Sequence, residues 1–143
     1  MTSSVFLDVN VWLALTSPDH QHFDSAWKWY SGLPDDTVLV FCRFTQLGLL
    51  RLLTTQSVMG RGTLTQAQAW AAYDRWHEAA GAEFAVEPPG LESVFRSLSG
   101  THQASPKEWA DSYLAAFSMA AEFPLVTFDR ALAGKAKRAV LLG

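Results

Sequence analysis

Short apolar runs alternate along the chain with longer stretches whose apolar residues recur at helical spacing. The runs Val5–Leu7, Val38–Cys42, Phe84–Val86, Leu125–Phe128 and Val140–Leu142 predict strands. Between them, Asn10–Leu15, His22–Ser31, Phe44–Leu53, Leu64–Ala80, Leu91–Leu98 and Pro106–Glu122 predict helices. The last has the clearest start: Ser105 suits the N-cap, Pro106 the first helical position, and Glu108 completes an S-x-x-E capping box. Tyr113, Leu114, Phe117, Ala120 and Ala121 then give it a broad apolar face. The alternation predicts an α/β fold with a mainly parallel sheet of about five strands, covered by helices on both sides.

Polar residues interrupt this pattern in informative places. The stretch "VFLDVNVWLAL" puts Asp8 and Asn10 inside an otherwise apolar run, and a carboxylate there is costly unless something compensates it. Asp8 is either a turn or capping residue or part of a polar site at a strand end. Parallel sheets bind ligands at the carboxyl ends of their strands; Asp8 ends the first predicted strand and Asp129 follows "LVTF" in the fourth. If those ends are neighbours, two carboxylates share one crevice. Asp111, in "SPKEWADSYLAAFSMAAEF", sits on a helix at the border of the face carrying Leu114 and Ala115. Taken singly, Asp8 and Asp129 can be caps and Asp111 can pair with Lys107. Together, three acids repel and raise one another's proton affinity, a divalent cation relieves that repulsion, and oxygen ligands suit magnesium or manganese.

Composition narrows the setting without naming an activity. At 143 residues and 49% hydrophobic content the chain suits one ordered domain spanning 1–143, and it shows no linker, repeat or low-complexity tract. Cys42 is its one cysteine, so no internal disulfide forms, and an inert buried thiol is expected. The opening "MTSSVFLDVN" lacks the marks of a signal peptide, and no apolar run is long enough to span a bilayer, so a cytoplasmic protein with no membrane partner is expected. A net charge of −3 argues against broad non-specific nucleic-acid binding but leaves room for a local basic surface. His20 and His22 make a weak zinc signal, and His77 and His102 receive no role. Trp70, Tyr73, Trp76 and His77, and likewise Trp27, Trp29 and Tyr30, are spaced for packing.

In that order, "FLDVNVWLAL", "FTQLGLLRLL", "WADSYLAAFSMA" and "LVTFDRAL" resemble the PIN-domain family and, within it, the VapC-type toxins of bacterial toxin–antitoxin pairs. The resemblance implies a PIN-like, doubly wound sheet and a magnesium- or manganese-dependent endoribonuclease. It also implies structured cellular RNA as substrate, a cognate antitoxin as inhibitor, and a homodimer. Asp8, Asp111 and Asp129 match the family's acids by motif and are the expected metal ligands and catalytic residues. Asn10 and Thr127 are expected to hydrogen-bond a ligating carboxylate or a metal-bound water. Arg43, Arg51 and Arg130 are expected to hold RNA phosphates, with Lys135, Lys137 and Arg138 continuing a basic tail. Trp12 is a weak candidate for base stacking.

One departure stands out. The family's T-x-x-E-L-x-R segment reads "TQLGLLR" here, so Gly48 takes the acidic position and Gln46 lies two residues earlier. Neither supplies a carboxylate, which leaves water, the phosphate or Glu108 to complete a metal's coordination. A domain that binds RNA or protein without cutting therefore stands beside the nuclease reading. A receiver-like domain phosphorylated on Asp8 is weaker, since no acidic pair adjoins that residue.

Overall fold

The computed structural model describes residues 3–143. Its five parallel strands are β1 (Ser3–Leu7), β2 (Thr37–Phe41), β3 (Glu83–Phe84), β4 (Leu125–Thr127) and β5 (Ala139–Leu141), arranged β3-β2-β1-β4-β5. The chain starts in the middle of the sheet, winds outward to β3, then crosses β1 to build the other half. That reversal makes the β1/β4 boundary the switch point where such sheets open a crevice. Phe6 pairs with Leu125 and Leu7 with Val126, so the residues just beyond them, Asp8 and Thr127, emerge side by side.

Successive side chains on a strand point to opposite faces, and the core divides accordingly. Val5, Leu7, Leu39, Phe41 and Val126 face one cluster, built with α1 (Val9–Thr16), α2 (Phe23–Ser31), α3 (Arg43–Leu53) and α5 (Gln66–Ala80). Phe6 and Leu125 face the other, built with α6 (Leu91–Ser99), α7 (Glu108–Ala121) and α8 (Arg130–Lys135). Burial on both faces is why the central strands read as apolar runs rather than as an alternation. The first cluster is aromatic: Trp12 is fully buried and stacks on Phe41 at 3.7 Å, with Trp76 edge-on at 5.3 Å. Trp12 is therefore a core residue and not a stacking platform for RNA. Trp27 and Tyr30 pack on Trp76 as the spacing predicted, whereas Trp70 is 48% exposed.

The expected elements all form, with some shifted ends. The helix expected from Leu64 starts at Gln66, because Thr65 caps it in a reciprocal box with Gln68. The helix expected from Pro106 starts at Glu108, and Ser105 is not its N-cap. The Glu108 N–H donates to the Ser105 carbonyl in a turn, while its carboxylate is drawn to Ser105 and to Lys135 on α8. Beyond the expected elements lie α4 (Gln56–Met59), a 3-10 turn at Gly60–Gly62, and α8 itself. Among the described residues no helix is long and apolar enough to cross a membrane.

Candidate active site

Asp8 leaves β1 in extended conformation and caps α1, its Oδ1 accepting from the Val9 N–H at 2.7 Å. The Thr127 hydroxyl, fully buried at the end of β4, donates to Asp8 Oδ2 at 2.8 Å. Thr127 Oγ1 also accepts the Asp129 N–H at 3.0 Å. One hydroxyl thus ties together two strand ends 119 residues apart. Asp129 is exposed and caps α8, its Oδ1 accepting from Ala131 at 2.8 Å and Leu132 at 3.1 Å. Capping and site-building, rival explanations of Asp8 in the sequence, are one arrangement: the cap holds the carboxylate still.

Asp111 reaches the crevice from the first turn of α7 and is half-buried. Burial pushes the Asp8 carboxyl above its ordinary value; Thr127 and Val9 pull it back, and Asp111 and Asp129 push it further up. Burial likewise raises Asp111, joined by the charge of Asp129 and opposed by Lys135. The charges of the three acids therefore act on one another at the β1/β4 boundary. Among the described residues, however, no three acidic, histidine or cysteine side chains are gathered closely enough to hold a metal. The donors still fit magnesium or manganese in kind: all are oxygens, and their mutual repulsion is what a cation removes. They suit an ion that keeps much of its water rather than a fully protein-caged one.

The remaining expected residues separate. Asn10 is exposed on α1, does not cap it, and makes no side-chain hydrogen bond to the acids among the described residues. It lines instead a groove of about 830 Å³ with Val9, Phe44, Leu47, Arg51 and Trp70. Arg130 is exposed beside Asp129. Arg43 is exposed at the start of α3, donates to Gln46 Oε1 at 2.6 Å, and lies 4.7 Å above the Phe84 ring. Arg138 donates to the Glu122 carbonyl at 2.7 Å, where α7 ends in left-handed backbone. Cys42 is buried with its thiol pushed up by burial, an inert setting.

Gly48 has a structural reason. A Cβ there would stand 2.7 Å from Val9 Cγ2 and 3.0 Å from Cγ1. At this crossing of α1 and α3 any side chain at 48 would force Val9 to shift. Sequence reasoning placed Lys135 in a basic tail; its ammonium instead pairs with Glu108 at 2.9 Å and acts on Asp111. It also missed the partners of Gln46. The signal for Gln46 was present, as a polar residue on the inward face of an apolar helix.

Comparison with known proteins agrees with this geometry. The PIN domain family matches residues 5–138. Ribonuclease VapC41 of Mycobacterium tuberculosis is 41% identical over 128 residues, covering 87% of this chain and 88% of that protein. Ribonuclease VapC44 of the same species is 32% identical over 130 residues, covering 89% and 87%. Among solved structures, VapBC2 from Rickettsia felis bound to a promoter DNA fragment superposes with a TM-score of 0.68 at 11% identity, covering 98% of this chain and 99% of that one. Mycobacterium tuberculosis VapC20, a Sarcin-Ricin loop cleaving toxin, gives 0.64 at 16%, covering 91% and 93%. The strand-end acids, the doubly wound parallel sheet and these full-length likenesses coincide: the chain belongs to the PIN-domain family, as a VapC-type member.

Proposed function

We propose that this protein is the ribonuclease toxin of a VapBC-type pair, cutting phosphodiester bonds in structured cellular RNA with magnesium or manganese. The observation that carries this reading is the Asp8–Thr127–Asp129 junction with Asp111 beside it. A buried carboxylate, fixed through both oxygens and crowded by two like charges, is a poor structural element and a good ligand set. The relatives named as ribonucleases support the activity.

Asp8, Asp111 and Asp129 would hold the cation, directly or through water. When bound, the ion supplies an acidified water and neutralises charge on the phosphoryl group. Thr127 keeps Asp8 from turning away and sets its distance from Asp129. A carboxyl whose burial raises its proton affinity is a better acceptor for a water proton than an ordinary surface aspartate, and Asp8 and Asp111 both have that property. Arg130 beside Asp129, Arg43 at the start of α3 and Arg51 in the groove with Asn10 would bind RNA phosphates. An antitoxin and a second copy of the chain belong to this reading as partners. Two structural neighbours are toxin–antitoxin complexes by name, VapBC2 and FitAB, which supports the first.

Gly48 favours the second reading, a domain that binds RNA without cutting it, since an acid there would force Val9 to shift. The deciding experiment incubates total cellular RNA with antitoxin-free protein in magnesium, manganese or EDTA, beside Asp8→Asn. Discrete products that need both metal and Asp8 are expected. Intact RNA with a well-folded protein would overturn the nuclease reading.

A further inference from the structure

Gln46 lies on the first turn of α3, is 7% exposed, and is one of few polar side chains in the core. Its Oε1 accepts from Arg43 Nη1 at 2.6 Å. Its amide lies beside the hydroxyl of Tyr73 on α5, itself 6% exposed. The same guanidinium sits 4.7 Å over the Phe84 ring of β3. Two direct contacts, Gln46 on its own helix and Phe84 on β3, therefore hold an exposed arginine that would otherwise sample many rotamers, and Tyr73 backs Gln46. Such restraint has an entropic cost, and nothing in core packing needs it.

The acceptor is an amide and not a carboxylate. A carboxylate at this distance would pair with the guanidinium and cancel its charge. An amide orients it and leaves the charge intact, with most of its five N–H donors free for the oxygens of a phosphate. Phe84 supports the flat face by cation–π attraction without occupying those donors. Arg43 follows β2 after Cys42, and β2 is the strand next to β1, which leads into Asp8.

We propose that Gln46 is a positioning residue that presents Arg43 to an RNA phosphate at the β2–β3 end of the carboxyl edge. The proposal rests on the ribonuclease reading and adds a fixed anchor for the strand on one side of the acids.

The test uses the full chain carrying Asp8→Asn, which binds without cutting, and fluorescently labelled bulk transfer RNA. Arg43→Ala and Gln46→Glu are each expected to weaken binding about tenfold, the worth of one charge-assisted contact. Each should flatten the dependence of log K on log salt by about 0.7. Combined, they should be no worse than either alone, because both remove one contact. Gln46→Met, which keeps the volume, serves if the buried glutamate unfolds the protein, and should give a smaller loss in the same direction. Unchanged binding and salt slope in these variants, or a Gln46→Glu loss that persists in full on top of Arg43→Ala, would overturn the proposal. Metal-dependent cutting by the wild-type chain without these binding changes sinks the positioning role alone. Binding changes without any cutting sink the ribonuclease reading and leave phosphate presentation standing.

Discussion

Between β1 and β4 the carboxyl edge crowds Asp8, Asp111 and Asp129, and the ion pairs of the described residues, at Glu92 and Glu108, include none of the three. One strand away, Arg43 is matched by a neutral acceptor and an aromatic face. The first region leaves charge uncompensated where a ligand can use it; the second compensates geometry while keeping charge available. Both carry a stability cost that the packed aromatic core beneath can absorb. On the functions proposed above, the contrast separates a place for a cation from a place for an anion.

Substituting Asp8 should break this comparison most severely. Asp8→Asn keeps the cap and the shape but removes the charge and turns the Thr127 contact from acceptor to donor, and RNA cleavage should fall about 100-fold or more. Its stability should move the opposite way. Because burial raises the folded-state proton affinity of Asp8, the native state binds this proton more tightly than the unfolded chain. The resulting penalty is absent below the ordinary carboxyl value of 3.8 and grows as pH rises through the folded value. Metal-free Asp8→Asn should therefore melt higher than wild type at neutral pH, with the gain vanishing in acid. Thermal melts across pH in EDTA check this, and a lower melting point at pH 7 would show that the acid site stores no repulsion.

Thr127→Val tests the link between the strand ends. It preserves shape but deprives Asp8 Oδ2 and the Asp129 N–H of their shared partner. Cleavage should drop about 10- to 100-fold, as for lost support of a metal ligand. Denaturant titration should show a loss of about 1–3 kcal/mol.

Gly48→Ala probes the close crossing of α1 and α3. Alanine normally stabilises a helix interior over glycine, but here its Cβ meets the stiff, β-branched Val9. A loss of about 1–3 kcal/mol is expected, relieved when Val9→Ala is added. Gly48→Glu should not raise cleavage. If it does, the missing acid limits the enzyme and the crossing tolerates it.

The smallest effect belongs to Glu108→Gln. Glu108 is partly exposed and its carboxyl is held down by Ser105 and Lys135. Cleavage within about twofold of wild type is expected, since exposed ion pairs contribute little. A loss comparable to that of Asp8→Asn would instead make Glu108 the acid that replaces the one absent at Gly48.

Local signals were enough to place most elements. Apolar runs marked the five strands, and the acids at 8, 111 and 129 stood out because each lies at the end or border of an apolar segment. Signals failed where the deciding partner is remote. The Ser105 box read well locally, but Lys135 on another helix shares its glutamate. Asn10 seemed as good a support as Thr127, yet only Thr127 faces Asp8, since pairing of β1 with β4 is not written in either segment. The helix α8 is short and lacks a full apolar period, so Asp129 read as a cap with nothing definite to cap.

Periodicity and strand-end polarity are local properties, so the α/β alternation, the burial of the central strands on both faces and the candidate acids could be read from the chain alone. Folding in three dimensions set the strand order that brings Asp8 beside Thr127, the helix crossing that presses Val9 against Gly48, and the contacts of Arg43 with Gln46 and Phe84. Those depend on distances between residues far apart in the chain, and packing alone sets such distances.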